Sequence, residues 1–96
     1  MAKYTLKLKP DAVEDLDWMR KYDATKVLDG IEDHLSVEPT KESRSRIKKL
    51  RGRQPADYRL RVDDWRVFYQ VTEKEVRILR VMHKRDTQQF YEEEGL

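Results

Sequence analysis

The chain has 96 residues, 38% of them hydrophobic and 42% charged, with no cysteine and a formal net charge of +2. That length leads us to expect one domain over residues 1–96, with a small core inside a heavily charged shell. The composition excludes disulfides and thiolate metal sites, and no apolar run reaches membrane-spanning length.

No signal-peptide pattern precedes Tyr4, so a cytoplasmic protein without membrane contact is the expectation. His34 and His83 lie far apart without ligand spacing, so neither a zinc site nor another cofactor is expected. The small net charge hides an asymmetry. Residues 1–43 carry seven Lys/Arg against ten Asp/Glu, residues 44–91 carry fourteen against six, and the acidic Glu92, Glu93 and Glu94 follow. A clustered basic segment is the electrostatic footprint of a nucleic-acid binder.

Tyr4 to Lys9 alternates and reads as a strand with Tyr4, Leu6 and Leu8 facing inward. Pro10 suits the first turn of a helix, and Asp11, Glu14 and Asp15 place negative charge near its N-terminus. This helix is expected over roughly 10–21, burying Val13, Leu16 and Met19, with Trp18 or Tyr22 as further members of the stripe. Asp23 is a candidate N-cap for a second helix, followed by Ala24, Val27, Leu28, Ile31 and Leu35 at helical spacing. His34 beside that stripe reads as a surface or boundary residue. Ser36 to Pro39 ends the helix.

Residues 40–56 read as a connection. Six of the ten residues in 44–53 are basic, namely Arg44, Arg46, Lys48, Lys49, Arg51 and Arg53, and Ile47 and Leu50 would pin a short turn of helix to the core. Such a run is either a solvated linker or a rim that tracks phosphates.

Tyr58 to Val71 alternates apolar and polar residues around Asp63-Asp64, the pattern of a β-hairpin. With a turn at those two residues, Val62 pairs with Trp65 and Arg61 with Arg66. Tyr58, Leu60, Val62, Trp65, Val67, Tyr69 and Val71 then share one face, while Arg59, Arg61, Arg66, Phe68 and Gln70 share the other. Like charges directly opposite are unfavourable, so a face built this way expects an anion. The plain alternative is a solvated face on which arginine stems cover apolar surface.

Val76 to His83 reads as a third strand of this sheet. Pairing Val71 with Val76 places Arg77, Leu79, Val81 and His83 on the arginine face and turns Arg80 toward the apolar side, unless a bulge intervenes. Asp86 is a candidate cap for a short C-terminal helix containing Gln89, Phe90 and Tyr91.

The set Tyr58-Arg59-Leu60-Arg61-Val62, Asp64 to Val71, and Ile78 to Arg85, preceded by Leu50-Arg51-Gly52, resembles the RelE/ParE superfamily of bacterial toxins. The resemblance spans nearly the whole chain. It implies an α+β fold: an N-terminal strand, a helical hairpin, an antiparallel three-strand meander completing the sheet, and a short C-terminal helix. It also implies a toxin of a type II toxin–antitoxin system with a cognate RelB-like antitoxin. In the RelE branch such toxins cleave mRNA in the ribosomal A site, and in the ParE branch they inhibit DNA gyrase.

Carried across by position, Arg59 and Arg61 match two basic residues on the first hairpin strand, and Arg66 matches the arginine that holds the scissile phosphate. Arg85 matches an arginine after the last strand, and Tyr91 a tyrosine of the C-terminal segment. These matches favour the RelE branch. RelE carries lysines where this chain has Arg59 and Arg61, and arginine keeps its proton at a pKa above ~12, so both bind charge and neither is a base. Some ribonuclease relatives use a histidine, which makes His83 either a base or a structural residue at a strand end.

Metal-independent cleavage of RNA needs an activated 2′-hydroxyl, a stabilised pentavalent phosphate and a protonated leaving oxygen. The sequence offers no carboxylate cluster for a metal, so the guanidinium fork must meet the charge. Arg66, Arg61 and Arg85 are the candidates on phosphate and leaving group. Tyr91 or His83 is the candidate base, and Tyr91 is alternatively a platform for a stacked base. Lys48, Lys49, Arg51, Arg53 and Arg59 are the candidate RNA contacts.

Overall fold

The computed structural model describes residues 3–51 and 55–87. Its elements in chain order are β1 (Thr5–Leu8), α1 (Pro10–Asp17), α2 (Lys21–Leu35), β2 (Ile47–Lys49), β3 (Tyr58–Val62), β4 (Trp65–Val71) and β5 (Glu75–His83), followed by a 3₁₀ turn at Lys84–Asp86. The strands form one sheet in the order β1-β5-β4-β3-β2. β1 runs parallel to β5 and every other neighbour pair is antiparallel. The α+β class with an N-terminal strand, a helical hairpin and a meander is as expected.

Pro10 opens α1, where a missing N–H costs nothing. The helix ends at Asp17, earlier than the expected 21, which leaves Trp18 86% and Tyr22 71% exposed. Val13 also faces out, and Ala12 joins Leu16 on the buried side. α2 begins at Lys21 with Arg20 as its N-cap, so Asp23 lies inside the first turn and favours the helix through its dipole. Val27, Ile31 and Leu35 pack against Leu60, Val62, Val67, Tyr69, Val76, Ile78 and Val81. The helices therefore cover the sheet face that the alternation marked as apolar.

The expected linker contains a strand. β2 is only three residues long, and Ile47 is buried opposite Leu60 while Lys48 and Lys49 are exposed. Its single apolar residue is too short a signal to announce an edge strand, and pairing with β3 supplies the rest.

The second correction concerns β5. Val71 pairs with Val76 and Gln70 with Arg77, but the register then shifts between Phe68 and Tyr69. Leu79 falls in the resulting bulge, and from there Arg80 pairs with Phe68, Val81 with Val67, Met82 with Arg66 and His83 with Trp65. One inserted residue exchanges the faces of everything beyond it. Val81 thus enters the core, and Arg80 is relieved of the apolar side.

Candidate functional site

The turn between β3 and β4 fixes one end of the site. Asp63 takes a left-handed backbone conformation at φ 52°, which aspartate tolerates better than most residues. Its carboxylate pairs with Lys26 of α2 at 2.7 Å, and Asp64 pairs with Lys84 at 3.4 Å. The hydrogen bond and charge of Lys26 hold the Asp63 carboxyl below its ordinary value, and the same contact raises the lysine. Arg66 Nη1 donates to the carbonyl oxygens of Asp63 and Trp65, each at 3.0 Å, so its guanidinium lies over the turn.

The face away from the helices carries the charge. Arg61 stands directly opposite Arg66, as the alternation predicted. One row further along, Lys48, Arg59, Phe68 and Arg80 stand side by side across four strands. Phe68 is fully buried there, between Arg59 and Arg80 in the ladder.

The arginines of this face fall into two groups. Arg77 Nε pairs with Glu75 at 2.7 Å, and Arg80 makes two bonds to Asp15, at 2.8 and 3.0 Å. Arg77 holds the Glu75 carboxyl below its usual range, and Asp15 raises Arg80. Arg59 and Arg61 make no ion pair among the described residues. Arg59 Nε is buried and finds no hydrogen-bond partner among them. An unmatched buried donor carries a free-energy cost.

Arg85 sits on the 3₁₀ turn. The Lys84 amide donates to the Asp64 carbonyl at 2.7 Å, which ties that turn to the hairpin turn and brings Arg85 to the Arg61–Arg66 end of the sheet. His83 is a correction. The bulge at Leu79 places it opposite Trp65, edge-on at 5.2 Å, on the helix-side face and not on the arginine face. Its Nδ1 accepts from the Arg85 amide at 3.2 Å and caps the turn that carries Arg85.

Lys49 is opposite Tyr58 and so belongs to the helix side as well, whereas Lys48 shares the face of Arg59. Arg51 is exposed just beyond β2. Arg53, Tyr91 and the acidic Glu92 to Glu94 lie outside the described residues, as does the expected helix around Gln89 and Phe90. Tyr69 is buried and donates its hydroxyl to the Pro39 carbonyl at 2.7 Å, and burial pushes its pKa up, which keeps it neutral. Arg46, which the sequence places in the basic run but not among the candidate RNA contacts, joins the arginine face: its carbonyl accepts the Arg61 amide at 2.8 Å. Recognising β2 would have placed it.

A family model described as ParE toxin of type II toxin–antitoxin system, parDE, matches residues 6–87. Among solved structures, the toxin–antitoxin complex RelBE2 from Mycobacterium tuberculosis is similar at a TM-score of 0.75 and 28% identity, over 86% of this chain and 93% of that one. The RelE–RelB complex from Pyrococcus horikoshii OT3 is similar at 0.67 and 30% identity, over 84% and 94%. The YoeB dimer from Staphylococcus aureus, at 0.60 and 20% identity over 85% and 98%, shares the fold. No curated protein sequence matches. With the family model covering most of the chain, this protein belongs to the ParE toxin family within the RelE/ParE superfamily and is a toxin of a type II toxin–antitoxin system.

Proposed function

We propose that this toxin is a ribosome-dependent mRNA endonuclease that blocks translation by cutting messages in the A site. The observation that carries the reading is the placement of Arg61 directly opposite Arg66 on a face where neither Arg59 nor Arg61 has a carboxylate partner among the described residues. A planar donor fork matches phosphate oxygens in pairs, and a bound anion relieves the repulsion between like charges that stand directly opposite.

In the proposed reaction Tyr91 takes the proton of the 2′-hydroxyl, whose oxygen attacks the adjacent phosphorus. A tyrosine serves as that base in its phenolate form. Arg66 and Arg61 hold the phosphate oxygens as their charge grows. The bond to the 5′-oxygen breaks, and that oxygen takes a proton from solvent water while Arg85 stabilises its charge. The products are a 2′,3′-cyclic phosphate and a 5′-hydroxyl. His83 lies on the opposite face, which favours Tyr91 over it as the base. Lys48, Arg51, Arg53 and Arg59 hold the strand.

A cognate RelB-like antitoxin belongs to the same reading, supported by the RelE–RelB and RelBE2 complexes among the similar structures. The ParE family model favours a second reading, in which the toxin binds and inhibits DNA gyrase without cutting RNA.

Purified toxin on ribosomes programmed with a defined message separates the two. The nuclease reading expects in-frame cuts with cyclic-phosphate 3′ ends, slowed about 10²–10³-fold by Arg66→Ala, the usual loss for one transition-state charge stabiliser. Intact message together with arrest of gyrase supercoiling by the same preparation would establish the second reading instead.

A further inference from the structure

We propose that Arg46, together with Arg61, forms a second phosphate site for the same single strand of RNA, beyond the phosphate held at Arg66. The inference takes its ligand from the nuclease reading, but its geometry is independent of it. The Arg61 amide donates to the Arg46 carbonyl at 2.8 Å, which continues the β2–β3 ladder by one pair past Ile47 and Leu60. Arg46, Arg61 and Arg66 thus form one row across the sheet. Neighbouring strands lie about 4.8 Å apart, so the ends of the row are separated by roughly 10 Å, enough to reach beyond a single phosphate.

Arg46 and Arg61 line a depression of about 430 Å³ with Ser45, Asp63 and Asp64. Two carboxylates in its wall would repel an anion if they stood alone. Each is already matched, Asp63 by Lys26 and Asp64 by Lys84, which leaves the two arginines as the uncompensated charge. Arg46 itself adds only a small electrostatic pull on Asp63 and makes no hydrogen bond or ion pair through its guanidinium among the described residues. The segment that carries it is fixed, because Ser43 Oγ accepts from the amides of Arg46 and Ile47 at 3.1 and 3.3 Å. The side chain is exposed, positioned and available.

The test is a titration of a short 2′-O-methyl RNA, which cannot be cut, against full-length wild type, Arg46→Ala, Arg46→Lys and Arg77→Ala. Anisotropy is read from about 50 to about 200 mM salt. Arg46→Ala is expected to weaken binding about three- to tenfold, the size of one exposed charge-assisted contact. It should also flatten the dependence of log affinity on log salt by about 0.7, the value of one phosphate on a single strand. Arg46→Lys keeps the slope, and Arg77→Ala, whose guanidinium is already paired, changes neither quantity. An unaltered slope and affinity in Arg46→Ala overturns the proposal, and so does a wild type that does not bind the strand.

Cleavage on programmed ribosomes keeps the two readings apart. Wild-type cutting with an unchanged KM in Arg46→Ala overturns the second phosphate site alone. Absence of cutting by the wild type, with the salt slope still altered in Arg46→Ala, overturns only the nuclease reading.

Discussion

Asp15 on α1 binds Arg80 and the backbone of β5 at once: Oδ2 accepts from Arg80 Nε and from the Val81 amide, both at 2.8 Å, while Oδ1 accepts from Arg80 Nη2 at 3.0 Å. β1 ends at Leu8, opposite Ile78, so beyond that point β5 has no strand on this side. Asp15 replaces the missing partner, and the bulge at Leu79 brings Arg80 within its reach. Asp15→Ala is expected to destabilise the fold by about 1–3 kcal/mol, because it strands a backbone donor and an arginine together. Asp15→Asn keeps an acceptor for Val81 and should lose less. Urea unfolding of both variants checks the order.

The same contact divides the arginines by role. Arg61→Ala should slow message cleavage about 10–10²-fold, since it removes charge at the reacting phosphate. Arg77→Ala, held by Glu75 further along the sheet, should leave the rate unchanged. Single-turnover cleavage on ribosomes measures both, and equal losses in the two would mean that general positive charge, and not position, matters.

Gly30 faces Val62 across the α2–β3 contact, and a Cβ built there would lie 2.8 Å from Val62 Cγ2. Alanine gains about 1 kcal/mol in helix propensity but overpacks a buried, branched neighbour at a cost of about 1–3 kcal/mol. Gly30→Ala should therefore lower the thermal midpoint despite its better propensity. Val62→Ala placed in the same chain should make the pair less destabilising than the sum of its members.

Burial raises the pKa of Tyr69, and this sets a pH dependence. The unfolded chain releases this proton near ~10 and the folded state keeps it. The associated stability is thus complete below that pH and is lost as pH rises above it. Tyr69→Phe gives up the hydroxyl bond to Pro39, worth about 1 kcal/mol at neutral pH. Thermal midpoints measured at neutral pH and at alkaline pH should show the gap between wild type and variant narrowing as pH rises.

The hairpin was legible in the sequence because seven apolar residues alternate around Asp63-Asp64, and that alternation also placed Arg61 against Arg66. The helix faces of Val27, Ile31 and Leu35 were legible for the same reason. β2 was not, since a strand with one buried residue carries no period. Nor was the true face of His83, because a bulge is set by tertiary fit at Arg80 and Asp15, residues 65 positions apart. A stripe extended to Trp18 or Tyr22 requires α1 to continue past Asp17, and it does not. Arg46 was legible as part of the basic run, but its place in the row beside Arg61 was not, because that follows from β2.

The most direct test of the account is a map of message 5′ ends after brief induction in bacteria, wild type against Arg66→Ala. The account predicts new ends in frame within translated messages, absent from untranslated RNA and lost in the variant. Growth arrest with intact messages would contradict it and leave the arginine face as a docking surface for another target.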